Sequence, residues 1–487
     1  MPINFLHGIE SINVSDGRRA VQVVKSGVIG LIGTAPTWGA KTPCGINNIT
    51  LVNSRREAAL KIGPSVRGYT IPEALDGIFD QVETEVLVIN LFNPAVHRAD
   101  VLDEKCTFNK RGEAQLVHPG VLDEPVVMSE DGSKTYVAGT DYTWTPMGVI
   151  KYVPKAGIAP QSTVKVNYVR GAPEQVLAED IIGDFDANMG VYTGMQQFLT
   201  AYSKLGFFPK ILIAPGYSEL RSVASALDSL AHNVRAITYI DAPVGKTVQE
   251  VIELRGNDQN SAFQTSSNRV ELLYPRLKVY ASATEPERLE AYSARKAGVR
   301  AMVDKTEGWW VSDSNHEIKG ILGTERFLTA RLNGVETDVN RLNEAGITTV
   351  FNSFGTGYRT FGNRSAMWPS DTHPRNFIAI QRGEDMVKES LEYAFLPFLD
   401  KPITAALIDA MLQTGNGFIR TLIARGALID GSVSFEKASN PITEIALGHL
   451  TFKVTLMGPT PNERTTFEYF MDIELLKKLY STNGDEA

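Results

Sequence analysis

The sequence predicts an α/β body interrupted by an all-β module and followed by an α+β C-terminal part, with extended arms at both ends. Three observations carry this prediction. Residues 210–240 read as strand, helix, strand; residues 100–170 read as short β runs broken by Gly, Pro and Asp; and the C-terminal tail alternates apolar and polar residues like strands in search of a sheet.

Taken in order, residues 1–25 mix short apolar pairs, Ile12 with Val14 and Val21 with Val23, with polar residues and no helical period. They read as an extended arm. Residues 26–36 (SGVIGLIGTAP) and 85–91 (EVLVINL) have the look of buried strands, with a short helix at 71–79 between them. The runs AQLVHPG, EPVVMSEDGSKTYV, DYTWTPMGVIKYVP and STVKVNYV then recur at roughly ten-residue spacing, which marks a β module inserted between α/β segments. KILIA at 210–214 is a strand closed by Pro215 and Gly216; residues 218–233 put Leu220, Val223, Leu227, Leu230 and Ala231 on one helical face; RAITYI at 235–240 is the next strand. That unit implies parallel pairing with a crossover helix.

Further on, Thr284 and Glu287 have capping-box spacing, which predicts a helix through about residue 296. Residues 384–399 and 404–426 read as two more helices. Leu450, Phe452, Val454 and Leu456 then alternate with polar residues, and after Pro459 and Pro461 alternation resumes with Phe467, Tyr469, Met471 and Ile473 against Thr466, Glu468 and Asp472. Two strands alone are marginal in water. The predicted division is an arm at 1–25, a body at 26–98 plus 180–375, a module at 99–179, and a C-terminal part at 376–487 ending in an arm at about 465–480.

Composition narrows the function classes. The 487 residues suffice for two to four domains, and 43% hydrophobic with 21% charged residues is ordinary globular usage. A net charge of -8 argues against nucleic acid as a direct ligand. Two cysteines, Cys44 and Cys106, make neither a disulfide scaffold nor a zinc cluster and fit a reducing cytoplasm. The opening residues lack a signal-peptide pattern, and the longest apolar run, around 28–32, is too short to span a membrane.

Several motifs imitate catalytic ones. Gly245, Lys246 and Thr247 stand where a phosphate loop would end, but the Gly required five residues earlier is Ile240, so an exposed turn is the better reading. His316 and Glu317 would need a second His where Gly320 stands. Gly355 with Gly357, and Gly415 with Gly417, lack the dinucleotide spacing and read as turns and a helix break. Ser218 follows a strand, but His232 lies a helix length away, so Ser218 reads as a helix cap. Trp309 and Trp310 read as anchors of a core or interface, and residues 257–268 as an exposed loop. No catalytic, cofactor or metal-binding set is found.

Against this background, FLHGIESINVSDGRRAVQVVKSGVIGLIGTAP resembles the start of tail sheath proteins from contractile phage tails and R-type bacteriocins. The resemblance continues, in order, through PKILIAPGYS, AGVRAMVDKTEGWWVSDSNHEIKG, GYRTFGNRS and TGNGFIRTLIARGALIDG, over about three quarters of the chain. It departs at about 100–170 and 258–288.

The resemblance implies a virion protein assembled in the bacterial host cytoplasm, without cofactor or enzymatic activity. It implies stacked hexameric rings around a tail tube, contacts with baseplate and tail terminator proteins, and a body of subtilisin-like topology without catalytic residues. It also implies arms that donate strands to neighbours, carried here by Phe5, Ile9, Ile12, Val14, Val21 and Val23 at one end and by Phe467, Tyr469, Met471 and Ile473 at the other. Arg420 and Arg425 in the second C-terminal helix are the candidate tube-facing residues, and the β module is expected to point outward. Two other classes were weighed: a nucleotide-hydrolysing α/β enzyme, and another self-assembling virion component such as a tube or capsid protein.

Overall fold

The computed structural model describes residues 24–481 except 155–156, 257–259, 282–285, 353–354 and 356. The predicted N-terminal arm residues Phe5, Ile9, Ile12, Val14, Val21 and Val23 lie outside the described residues.

The body is built on an eight-stranded sheet. Its strands are β1 (Ile29–Gly33), β2 (Ile49–Val52), β3 (Val86–Asn90), β4 (Ile211–Ile213), β5 (Ile237–Asp241), β6 (Val270–Leu273), β7 (Ile347–Asn352) and β8 (Tyr358–Phe361), in the order β8-β7-β6-β5-β4-β1-β3-β2. The six inner strands are parallel, and β2 and β8 close the edges antiparallel. Inner strands of this kind are buried on both faces, which is why they read as continuous apolar runs.

Alternation within β1 divides the core. Ile29 and Leu31 face α1 (Thr70–Gln81) and α3 (Tyr292–Thr306), whereas Val28 and Ile32 face α2 (Arg221–Val234). Helices α1 and α3 cross closely: a Cβ at Gly298 would stand 2.8 Å from Ile78 O and from Gln81 Cγ. Helix α3 is buried nearly all round, so its cations are paired. Lys296 Nζ lies 2.9 Å from Glu271 and 2.9 Å from Asp313, and Arg300 binds Asp304 at 2.5 Å.

Between β3 and β4 the chain forms the predicted β-rich segment. Strands Arg98–Thr107, Thr163–Gly171 and Val126–Ser129 make one antiparallel sheet, and Glu113–Gln115, Val149–Tyr152 and Tyr142–Trp144 another. They enclose their own apolar core of Phe108, Val127, Tyr142, Ile150 and Val166.

After β8 come α4 (Ile378–Phe395), α5 (Ala405–Ala424) and an antiparallel hairpin of β9 (Asp430–Ser434) and β10 (Lys453–Met457).

Three expectations are corrected. Residues 287–290 are not helical: Glu287–Glu290 is a strand paired with Leu277–Tyr280, Pro286 precedes it, and the helix begins only at Tyr292. Thr284 lies outside the described residues. Ser218 does not cap α2, whose N-cap is Leu220; it is buried and its hydroxyl donates to Asp241 Oδ2 at 3.3 Å. Gly415 and Gly417 do not break a helix. α5 runs through both, and Gly415 is small because a Cβ there would stand 2.9 Å from Val433 Cγ2.

Candidate assembly interface

The imitated catalytic sites are occupied by structural contacts. Asp241 at the end of β5 accepts the Ser293 N–H at 2.9 Å and the Ser293 hydroxyl at 2.5 Å, besides Ser218, so a buried carboxylate ties the start of α3 to the sheet. At the Gly245 turn, Gly245 N–H donates to Glu325 at 2.6 Å, so a carboxylate takes up the N–H that a phosphate would need, and Thr247 caps a short helix through a capping box. His316 faces Glu307 at 2.9 Å. Cys44 and Cys106 are free thiols that burial pushes up to about 11, which keeps them unreactive. Among the described residues no His, Cys, Asp and Glu cluster is arranged to hold a metal, and no helix is long and apolar enough to cross a membrane.

What the C-terminal part presents instead is an unfinished sheet. The two edges of the β9–β10 hairpin are treated differently. Asn416 of α5 donates from Nδ2 to Val433 O at 2.8 Å, and its Oδ1 accepts the Val433 N–H at 2.9 Å. The carboxamide thus takes the place of a strand on the outer edge of β9. Asn440 repeats the device beside β10, donating to Thr451 O at 2.8 Å and accepting the Thr451 N–H at 2.7 Å.

Because Val433 points its backbone at Asn416, it and its partner Val454 form a non-hydrogen-bonded pair, and Val454 directs its own N–H and C=O away from the hairpin. Phe452 and Leu456, two residues either side, do the same. Among the described residues, one edge is sealed and the other carries no strand.

An apolar groove runs along the open side. It encloses about 870 Å³ between β10 and α4, with Trp309, Trp310, Val387, Leu391 and Phe395 among its walls. Trp309 is buried and meets Trp310 edge to face at 5.2 Å, so the tryptophan pair anchors this core, as expected. Val24, the first described residue, packs on the same cluster.

The groove rests on a rigid base, because α4 is bolted across the N-terminal ends of the parallel strands. Asp385 forks onto Arg269 at 2.6 and 2.9 Å, Glu389 pairs with Lys210, and Glu392 forks onto Arg235 at 2.7 Å for both bonds. Each cation stands just before an inner strand. Burial pulls Lys210 below its ordinary range against the attraction of Glu389. Such pairs hold a geometry firmly, because breaking one leaves a charge uncompensated in a low-dielectric site.

Among the described residues beyond β10 no ladder forms. Phe467, Tyr469 and Met471 stand in irregular, extended chain, 73%, 90% and 101% exposed. Ile473 is also exposed but opens a 3-10 turn, Ile473–Lys477, whose N-cap Asp472 accepts from Glu474 N–H, so the extended stretch ends one residue earlier than expected. Arg420 and Arg425 are exposed near the end of α5. They lie away from residues 467–473 in sequence and are not brought into the groove wall. The bracing residues Asn416 and Asn440 escaped the sequence reading; in sequence each is an ordinary polar residue with no local signal.

Comparison with known proteins gives this arrangement its context. Residues 190–366 match the family model described as phage tail sheath protein central domain. The chain is 43% identical over 486 residues to the tail sheath protein of Burkholderia phage BcepMu, covering 99% of this chain and all of the relative. It is 25% identical over 476 residues to the tail sheath protein of Escherichia phage P2, covering 96% of this chain and 98% of that one. Among solved structures it is similar to the helical sheath of the anti-feeding prophage in its contracted state, with a TM-score of 0.59 at 14% identity over 96% of this chain and all of that one. It is likewise similar to the contracted sheath of the extracellular contractile injection system PVC, with a TM-score of 0.57 at 14% identity over 98% of this chain and all of that one.

Proposed function

From the premise that the chain belongs to the contractile tail sheath protein family, we propose that it polymerises as stacked hexameric rings around a tail tube and contracts to drive that tube through a target cell envelope. The observation that carries this reading is the open edge of β10 beside an apolar groove, in a chain that leaves its own residues 467–473 alternating and exposed. A neighbour's Phe467, Tyr469 and Met471 can enter the groove while its backbone pairs with Phe452, Val454 and Leu456.

The energetics favour such a joint. Each backbone bond contributes a net ~0.5–1.5 kcal/mol, and burying each large side chain about 1.5–3 kcal/mol more. A head-to-tail contact of this kind is heterologous, so its repetition builds a helix. Strand pairing persists while the segments on either side bend, which allows rigid bodies to repack during contraction. The reading needs no bound nucleotide and no catalysis.

The N-terminal arm residues Phe5, Ile9, Ile12, Val14, Val21 and Val23 are proposed to supply a second strand, and Val24, packed on the same apolar cluster, suits that role. The division into a body of 26–98 plus 180–375, a module of 99–179 and a C-terminal part of 376–487 belongs to the same proposal, supported by the separate apolar cores. So does a subtilisin-like body: Ser218 and Asp241 meet without a histidine. Arg420 and Arg425, solvent-facing on α5, are proposed to touch the tube, with the baseplate and terminator proteins at the two ends of the stack.

Electron microscopy of the purified protein with and without residues 1–24 tests the mesh. Hollow cylinders are expected from the full chain alone; cylinders that persist unchanged without the arm contradict it. Arg420→Glu with Arg425→Glu is expected to weaken assembly on tubes, and unchanged assembly removes the tube-facing assignment.

A further inference from the structure

The segment that follows β10 does not leave the molecule at once. Residues 459–463 form one wall of a groove of about 490 Å³ whose other lining includes Trp310, Ser314, Asn343 and Arg364 of the body. There Arg364 forks onto Glu463: Nε donates to Oε1 at 2.8 Å and Nη2 donates to Oε2. The guanidinium is held independently of that carboxylate. It lies 4.1 Å from the Trp368 ring and 4.2 Å from the Phe377 ring, and its Nη1 donates to Asn376 Oδ1 at 2.8 Å. Its side chain is 15% exposed, whereas that of Glu463 is 45% exposed. A stacked, half-buried fork is aimed at one carboxylate of an otherwise solvated tail.

We propose that Arg364 is a positioning residue that clamps the root of the C-terminal arm through Glu463, so that residues 467–473 depart from a fixed point and in a fixed direction. The inference rests on the strand-donation reading above and adds the device that aims the strand. With the clamp closed, about four residues separate the anchored Glu463 from Phe467; with it open, the free tether runs back to Met457, about ten residues. Effective concentration falls roughly as the 3/2 power of tether length, so opening the clamp lowers the arm's effective concentration at its acceptor by about fourfold. Glu463 takes no part in the apolar cores, so its change leaves the unassembled fold intact.

The test compares purified full-length chain, Glu463→Gln, Arg364→Lys and a chain ending at Glu463. Each is scored for thermal unfolding of the unassembled protein and for the concentration at which cylinders first pellet and appear in the microscope. The proposal expects Glu463→Gln and Arg364→Lys to raise that concentration about fourfold or more, Glu463→Gln to unfold as the parent does, and the shortened chain to form no cylinders. If the shortened chain fails to assemble while Glu463→Gln assembles at the parent concentration, the clamp is overturned and strand donation stands. If the shortened chain assembles normally, strand donation by this arm fails and the clamp falls with it.

Discussion

At the scale of single residues, two polar groups, one half-buried and one buried, do work that no motif announces. Asn416 supplies both halves of a strand's hydrogen bonding to Val433, which is itself buried. Asn416→Ala leaves that N–H and C=O without their partner and is expected to cost about 1–3 kcal/mol in urea unfolding. It also uncovers a second sheet edge, so non-cylindrical aggregates are expected beside cylinders. Asp313 is the second case. Burial alone would raise its carboxyl, but Lys296 and Arg300 beside it hold it at about 2. A carboxylate depressed in the folded state contributes stability above the ordinary carboxylate range, and that stability is lost as pH falls from about 4 to about 2. Asp313→Asn is expected to flatten that acid limb by the order of 2 kcal/mol, measured as the pH dependence of urea unfolding.

At the scale of elements, α4 joins the C-terminal part to the body through charge. Asp385→Asn leaves Arg269 buried and unpaired, and a loss of about 3–5 kcal/mol is expected in denaturant titration. Arg269→Met together with Asp385→Leu is expected to recover most of it, since an apolar pair carries no desolvation penalty. A helix at 384–399 was legible, though it begins already at Ile378; the pairing of Asp385, Glu389 and Glu392 was not, because Lys210, Arg235 and Arg269 stand more than a hundred residues away. The same division between local and distant signals explains the rest. The strand–helix–strand of 211–241 was legible because its periodicity is local, and so were the β-rich insertion and the hairpin strand of 453–457. The helix expected from Thr284 and Glu287 failed because cross-strand pairing with Leu277–Tyr280 outweighs a capping signal. Gly415 misled for a related reason: close approach of β9 to α5, a tertiary demand, selects glycine there inside a helix, while Gly417 lies in the same helix with room around it.

At the scale of the whole molecule, the outer edge of β10 carries no strand among the described residues, and residues 467–472 are extended and exposed. The body is held by sheet, helices and buried ion pairs, and the exposed tail reaches beyond it. Changing Phe467 and Met471 to Ser is expected to leave unfolding of the unassembled protein unchanged while abolishing cylinders in pelleting assays, because those side chains are 73% and 101% exposed. On the proposed reading, contraction repacks such bodies without releasing the strands between them.

The measurement that bears most directly on this account is a density map of the assembled cylinder, resolved well enough to follow the backbone at β10. The account predicts that the N–H and C=O of Val454 are paired with an extended segment of another copy and that the outer edge of β9 carries Asn416 and no added strand. A cylinder in which the Val454 edge faces solvent, with residues 467–473 folded back on their own subunit, would contradict it.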